Sequence, residues 1–328
     1  MAKFNVFGVG NALVDIVVRV EDSFLKDNKI RKGVMTLVDT ALQNQLLSGL
    51  SAHSPEKRSG GSAANTLIGV ANSGGTGYYT GKVSADENGN FYKTDMIKAG
   101  IEFFVPPGSG HTGTCLVMTT HDGERTMLTS LGISSDLHKS DINIDALTDS
   151  EIAYVEGYLW DKENTKEASL FTMQEAKRLG KKVAFTFSDP FCVNRSRDDF
   201  KHLTKEYVDI AFCNHEEAMA LTETDSPEDA IQGMSEYCEL VFMTWGHHGA
   251  MISMDGVEKH IPGYPVKAID SNGAGDAFAA GVLYGLTHGY TNEKACKWGN
   301  YMASCVIQNI GPRLPYLLKG KQEEILGK

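Results

Sequence analysis

Short apolar segments alternate with segments of helical periodicity along most of the chain. The predicted strands are Asn5–Val9, Gly77–Lys82, Ile152–Val155, Lys182–Phe187, Asp209–Cys213, Leu240–Thr244 and Ala250–Ser253. The predicted helices are Thr40–Ser48, Ser62–Ala71, Asp86–Ala99, Thr165–Leu179, Pro227–Cys238, Gly275–Leu286 and Asn292–Gln308. Such alternation is typical of βαβ units that build a mostly parallel sheet. The pattern therefore predicts a three-layer α/β fold with a parallel-rich sheet.

Two segments, approximately residues 13–38 and 101–129, have strand character without intervening helices. In the second, Thr112–Thr120 and Thr126–Thr129 are joined through Asp122-Gly123, a dipeptide that favours a hairpin turn. We expect these two insertions to form a small discontinuous β-sheet lid beside the main sheet. A lid of this kind can cover a site and exclude water from a reaction.

Composition narrows the class of protein without naming it. The 328 residues are 41% hydrophobic and 22% charged, which suits a single domain spanning residues 1–328. The formal net charge of −11 argues against nucleic-acid and anionic-membrane partners. Because no run of about 18 apolar residues and no signal-like start is found, we expect a cytoplasmic protein with no membrane partner. Neither the six cysteines nor the ten histidines have the spacing of a zinc site.

The segment Asp270–Gly281 carries the strongest chemical signal. Gly273, Ala274 and Gly275 directly precede Asp276 and open an Ala/Gly-rich helical pattern. Small residues let a backbone approach a ligand, and a helix N-terminus directs free N–H groups at an anion such as phosphate. A carboxylate beside a phosphate site is favourable if it removes the proton of an attacking hydroxyl. The arrangement therefore indicates a kinase, and the alternative for this segment alone is a first-turn acid that complements the helix dipole.

Two other glycine-rich segments do not fit nucleotide-binding motifs. Gly8-Val9-Gly10-Asn11-Ala12-Leu13 lacks the third glycine of the dinucleotide fingerprint and is followed by a strand pattern. Gly81-Lys82 is followed by Val83, so the P-loop spacing is absent as well.

A second informative segment is Ser59-Gly60-Gly61-Ser62-Ala63-Ala64-Asn65-Thr66, which opens a helix with two glycines. Together, Gly60–Gly75 and Asp270–Gly281 resemble the two signatures of the ribokinase, or PfkB, family of carbohydrate kinases. Within that family the sequence is most similar to adenosine kinases, through Phe7–Asn11 with Asp15, Thr112–Cys115 and Ser188–Phe191. Asp189 departs from the resemblance, since a small neutral residue is expected there.

The resemblance implies a role for each matching position. Asp276 would be the catalytic base, and the amides of Gly273, Ala274 and Gly275 would form an anion hole. The implied substrate-binding residues are Asn11, Asp15, Gly60, Gly61, Asn65, Arg125 and Phe191. The implied ATP-binding residues are Asn214, Thr244, Gly246, Gly249, Asn300 and Ala303, with Asn214 and Glu217 organising magnesium through water.

The resemblance also implies ATP and Mg²⁺ as cofactors, with a monovalent cation such as K⁺ as a further family cofactor whose ligands the sequence does not place. The implied reaction is phosphorylation of a primary hydroxyl, the 5′-OH of a nucleoside, with adenosine as the first choice. Apolar residues near the lid (Leu13, Leu131, Tyr158, Phe191) are the candidates for holding a purine, although core packing is the commoner role of such residues. A ribose- or fructose-type sugar kinase and a non-catalytic nucleotide-binding regulator stay open as alternatives, as do monomer and homodimer.

Overall fold

The computed structural model describes residues 2–50, 53 and 55–327. The strands in these residues are β1 Phe4–Val9, β2 Leu13–Arg19, β3 Met35–Leu37, β4 Glu56–Gly60, β5 Gly77–Thr80, β6 Ile101–Phe103, β7 Gly113–Thr119, β8 Arg125–Ser130, β9 Ser150–Glu156, β10 Lys182–Thr186, β11 Ile210–Asn214, β12 Leu240–Thr244, β13 Gly249–Met254 and β14 Val257–Pro262. The helices are α1 Asp22–Asp27, α2 Thr40–Gly49, α3 Ser62–Asn72, α4 Glu87–Lys98, α5 Ile144–Thr148, α6 Glu163–Arg178, α7 Pro190–Tyr207, α8 His215–Thr222, α9 Pro227–Met234, α10 Ala274–Thr287, α11 Asn292–Val306 and α12 Gln322–Leu326. None of these helices is both long and apolar enough to cross a membrane.

Nine strands form a large sheet in the order β14-β13-β12-β11-β10-β9-β1-β5-β6. All neighbours from β12 to β6 pair in parallel, and only the β12–β13 and β13–β14 pairs are antiparallel. Ligand sites in such sheets lie beyond the carboxyl ends of the parallel strands. The topology therefore confirms the parallel-rich α/β prediction and indicates where a site is built.

Two hydrophobic cores lie on opposite faces of the large sheet and give the fold its three layers. On one face α3, α10 and α11 pack together, and Gly281 of α10 directly adjoins α11. A Cβ at Gly281 would lie 2.6 Å from the Cα of Gly299, so the Ala/Gly-rich character of α10 is required by this close helix contact. The close contact fixes the position of the N-terminal turn of α10, which carries Asp276.

Five strands form a separate small sheet in the order β3-β8-β7-β2-β4. Along each of its strands, successive side chains point to opposite faces of the sheet. Ile16 and Leu116 pack with Leu46 of α2 in the hydrophobic core, whereas Asp15 and Cys115 face a cleft between the two sheets. The small sheet thus covers the carboxyl-end edge of the large one, as the lid prediction requires.

The boundaries of the predicted lid need two corrections. The sequence predicts Ile101–Phe103 as part of the lid, but this segment pairs with β5 at the edge of the large sheet. Conversely, Glu56–Gly60 forms an edge strand of the small sheet next to β2, which the sequence did not predict. The short segment Ile101-Glu102-Phe103 of β6 fits either sheet, and the charged start of β4 carries no strand pattern, so local sequence could not decide either case.

The sequence analysis also missed elements that have weak local patterns. Helix α7 is interrupted at Ser196, whose φ of −125° and ψ of 26° are not helical. Strand β14 is exposed along most of its length and carries charged residues. Asp189 explains the start of α7: its side chain caps the helix by accepting the Cys192 N–H at 2.7 Å.

Candidate active site

The turn before α10 leaves backbone N–H groups free at the edge of the cleft. Gly273 has a φ of 73°, and a Cβ there would lie 2.6 Å from Pro312 Cα, so only glycine fits. The Ala274 N–H bonds back to Ser271 O at 3.3 Å. Within the described part of the chain, the N–H groups of Gly273 and Gly275 have no acceptor. They line the cleft and are free to bind an anion.

Asp276, in the first turn of α10, lies between two side chains of α3. Ser62 Oγ donates to its Oδ1 at 2.7 Å, and Asn65 Nδ2 donates to its Oδ2 at 3.1 Å. Burial raises the pKa of Asp276 to about 6, against the lowering effect of these two hydrogen bonds and of Arg313. The carboxyl group is therefore mostly ionised at neutral pH. Its pKa is also near enough to neutral pH for the group to accept a proton in the reaction.

Asp15 of β2 faces the same cleft from the small sheet. Its carboxylate fills the space beside Gly60, where a Cβ would lie 2.3 Å from Oδ1. Burial raises the pKa of Asp15 to about 6, although Arg313 and Arg125 lower it. Among the described residues it has no hydrogen-bond donor, so its two oxygens are available to substrate hydroxyls.

Asn11, which follows β1, is held by a buried acid from β9. Its backbone N–H and its Nδ2 donate to Glu156 Oε1 at 2.8 and 3.2 Å, and Ser134 Oγ donates to its Oδ1 at 3.2 Å. Glu156 Oε2 accepts the Ala63 N–H at 2.8 Å, at the N-terminus of α3. Burial raises the pKa of Glu156 to about 7. One carboxylate thus ties β1 and α3 together beneath the cleft.

Asn214 and Glu217 form a closed pair at the junction of β11 and α8. The N–H and Nδ2 of Asn214 donate to the two oxygens of Glu217 at 3.0 and 2.7 Å, and Asn214 Oδ1 accepts the Glu217 N–H at 2.8 Å. This is a capping box, which fixes the start of α8. Burial raises the pKa of Glu217 to about 8. Each Glu217 oxygen accepts one hydrogen bond from Asn214, which holds the carboxylate in place at the cleft.

Arg125 of β8 connects the small sheet to the turn before α10. Its guanidinium is paired with Asp270, and the two side chains are only 10% and 5% exposed. Asp270 also accepts the N–H groups of Asn272 and Gly311, at 3.0 and 2.7 Å. In the part of the chain that the structure describes, Nε and Nη1 of Arg125 are buried and have no hydrogen-bond partner. The guanidinium therefore keeps two unpaired nitrogens beside the cleft.

The cleft, of about 880 Å³, brings together most of the predicted site residues. Those that line it are Asn11, Asp15, Gly61, Asn65, Arg125, Asn214, Glu217, Thr244, Gly246, Gly273, Ala274, Gly275 and Asp276. This size lies within the range of small-molecule sites. Residues far apart in the chain converge here because the large and small sheets face each other.

Five predicted residues do not line this cleft, and each has another place in the structure. Phe191 is 68% exposed on the first turn of α7. Asn300 is buried and donates to the carbonyls of Ile261 and Pro262 at 3.0 and 3.2 Å, so it anchors β14 to α11. Gly249 lies against Gly263 in a turn of φ +100° that excludes a Cβ. Gly60 accepts the Tyr92 hydroxyl at 3.0 Å behind the cleft, and Ala303 packs against the core.

The sequence analysis gave no role to four side chains that hold the site. These are Ser62, Glu156, Asp270 and Arg313. Glu156 could have been predicted as a site residue, because it is an acid at the carboxyl end of a buried strand. Ligand sites in parallel sheets lie at such strand ends. Ser62 and Asp270 lie inside the two recognised motifs. Arg313 lies in a loop without a pattern, and only the fold brings it to the site.

Comparison with known proteins is consistent with this geometry. Residues 35–318 match the model of the pfkB family of carbohydrate kinases. The structure of an adenosine kinase from Sinorhizobium meliloti is similar, with a TM-score of 0.92 and 37% identity over 98% of this chain and 99% of that chain. A probable sugar kinase from Rhizobium etli has a TM-score of 0.92 and 38% identity over 99% of this chain and 100% of its own. An adenosine kinase of Saccharomyces cerevisiae is 27% identical over 94% of this chain and 96% of its own length.

These matches cover both predicted signatures and the two sheets that form the cleft. The family signatures and the free amides beside a buried aspartate point to the same chemistry, transfer of a phosphoryl group to an alcohol. The chain therefore belongs to the pfkB family of carbohydrate kinases and is a sugar or nucleoside kinase of that family.

Proposed function

We propose that the protein is an adenosine kinase that transfers the terminal phosphoryl group of ATP to the 5′-hydroxyl of adenosine. The supporting observation is the unequal lining of the cleft. Its large-sheet side is polar and carries Asp276, and Asp15 adds a second carboxylate from β2. The small-sheet side is mainly apolar, from Leu13, Met35, Val117, Met127 and Leu131.

The polar and apolar parts of this lining match the two halves of a nucleoside. Asp15 can accept hydrogen bonds from two hydroxyls at once, as a ribose requires. Val117 is 2% exposed and Met127 is half-buried on the same face of the small sheet, and such side chains suit the flat faces of a base. Methionine is well adapted to aromatic ligands, because its thioether is flexible and polarisable. A free sugar would leave the apolar face without a partner.

In the proposed reaction Asp276 accepts the proton of the 5′-hydroxyl as that oxygen attacks phosphorus. Ser62 and Asn65 hold the carboxylate in place from α3. The free amides of Gly273 and Gly275 stabilise the charge on the transferred group, which is the main requirement of phosphoryl transfer. Arg125 Nε and Nη1 add positive charge from the small sheet. The small sheet acts as the lid that keeps water away.

The residues present fit the phosphates of ATP, since unpaired amides and a glycine cradle form the turn. For Mg²⁺ the residues that the structure describes offer no all-protein cage, and a Mg²⁺ site shared with the ATP phosphates would use Asn214 and Glu217 through water. In the described residues no group of three or more His, Cys, Asp or Glu side chains could hold a metal, and both oxygens of Glu217 are bonded to Asn214.

The proposal is tested by measuring ADP release from Mg-ATP with adenosine, inosine, ribose and fructose as acceptors. We expect strong turnover with adenosine and its loss in Asp276→Asn. Turnover with a free sugar alone would refute adenosine as the substrate but would leave the role of Asp276 as catalytic base unchanged. Nucleoside binding without turnover, unchanged in Asp276→Asn, would support the regulator alternative.

A further inference from the structure

Arg313 reaches the active site from the loop after α11, and each of its three guanidinium nitrogens donates a hydrogen bond. Nε donates to Asn65 Oδ1 at 3.1 Å, Nη1 to Asp95 Oδ2 at 2.9 Å and Nη2 to Ser59 Oγ at 2.9 Å. The side chain is only 13% exposed. A buried guanidinium with three partners has a fixed position, since moving it would leave several buried groups unpaired.

The contact with Asn65 has a chemical consequence for Asp276. The Asn65 amide has an acceptor end and a donor end, and the two can exchange by a flip. Because a guanidinium only donates, the oxygen end must face Arg313. The NH₂ end is then turned toward Asp276, to which it donates at 3.1 Å. A flipped amide would place its oxygen against the carboxylate and repel it.

Arg313 also supplies positive charge near Asp276, whose other electrostatic partners are acids and phenols. The groups that interact electrostatically with Asp276 are Asp15 on β2, Tyr154 and Glu156 on β9, Tyr158 in the following 3₁₀ segment, Glu217 on α8 and Arg313. The positive charge of Arg313 lowers the pKa of Asp276. Among the charges that lower the pKa of Asp15, that of Arg313 has the largest effect.

We propose that Arg313 is a positioning residue for the catalytic base: it fixes the orientation of the Asn65 amide and favours the ionised form of Asp276. The proposal rests on the proposed role of Asp276. It assigns no contact between Arg313 and substrate. Its effect on the reaction passes through Asn65 and through charge.

The first test is a titration of the Asp276 carboxyl by NMR in protein with ¹³C-labelled aspartate, with the signal assigned by its absence in Asp276→Asn. We expect Arg313→Gln to move the titration to higher pH and Arg313→Lys, which keeps the charge, to move it less. The matched control is Ser59→Ala, which removes the acceptor of Nη2 but leaves Asn65 and Asp95 in place. The control should titrate as the wild type does. A folded Arg313→Gln protein with an unchanged titration would overturn the proposal.

The second test is kinetic. We expect Arg313→Gln and Arg313→Lys each to lower kcat on the order of tenfold. In metal sites, a loss of this size follows removal of a residue that only orients a ligand by a hydrogen bond. In an Asn65→Ala background, Arg313→Gln should add only the part of the loss that comes from charge, since its route through Asn65 is already gone. An equal loss of kcat in Ser59→Ala would show that Arg313 acts by anchoring β4, which would contradict the proposal. The titration needs no turnover, so a failure of the kinase proposal is distinguishable from a failure of this one.

Discussion

The guanidinium of Arg125 on the small sheet is paired with the carboxylate of Asp270, the residue that begins the motif containing the catalytic-base candidate. The pair links the small sheet to the turn before α10. Asp270 in turn accepts two backbone N–H groups on the large-sheet side, those of Asn272 and Gly311. The position of the small sheet is therefore coupled to the conformation of the anion-binding turn.

The Arg125–Asp270 pair should be worth more to stability than a surface ion pair. Removing one partner of a buried pair leaves the other charge uncompensated and typically costs ~3–5 kcal/mol. We expect Arg125→Gln and Asp270→Asn each to lower the free energy of unfolding by about that amount, and the double variant to lose less than the sum. Urea unfolding of all four proteins measures the coupling. Additive losses would show that the two groups do not interact energetically.

Asp276 should determine the acid side of the pH–rate profile. As a general base it must be ionised, and its pKa is raised to about 6. We therefore expect kcat/KM to fall about tenfold per pH unit below that value. Asp276→Asn should lower kcat by about 100- to 10,000-fold, with a small change in the KM for ATP. A profile that stays flat down to pH 5 would contradict the role of Asp276 as base.

Glu156 should make the protein less stable as the pH rises. Its pKa is raised to about 7 in the fold, above the ordinary 4.5, so the folded state binds more protons between these two values. Its contribution to stability is therefore lost progressively from pH 4.5 to 7, at up to about 1.4 kcal/mol per pH unit.

The variant Glu156→Gln removes this pH dependence but places an NH₂ group against a buried N–H, which costs ~1–3 kcal/mol. We expect the variant to be clearly less stable than the wild type at pH 5 and closer to it at pH 8. Urea midpoints at both pH values measure the effect. Glu151→Gln is the matched control, since Glu151 is exposed on the same strand. A constant difference between variant and wild type would contradict the raised pKa.

The glycines on either side of Ala274 should respond differently to substitution. In Gly273→Ala the added methyl would meet Pro312 in a left-handed backbone, which alone costs about 1–2 kcal/mol. At Gly275 an added Cβ has no heavy atom within 4 Å, so Gly275→Ala should keep the wild-type melting temperature. Thermal unfolding of both variants makes the comparison. Equal melting temperatures would contradict the strained geometry assigned to the turn.

The sequence predicted the elements whose local pattern is strong. All seven predicted strands of the large sheet are present, because fully buried strands read as continuous apolar runs. Helix α7 and strand β14 were missed, since an irregular turn interrupts the first and charged residues cover the second. Asn300, predicted at the ATP base, instead anchors β14, because a buried amide serves carbonyls as readily as a ligand.

The sequence by itself determined the chemistry of this protein: a glycine turn before Asp276, a second glycine turn before Asn65 and an acid, Asp15, on an early strand. These features are local in the chain, so residue type and spacing suffice to identify them. Only the tertiary structure decided how they work together. Arg313 lies 248 residues from Asn65, and Arg125 lies 145 residues from Asp270. Such contacts depend on how two sheets and their helices pack, which no local pattern in the chain encodes.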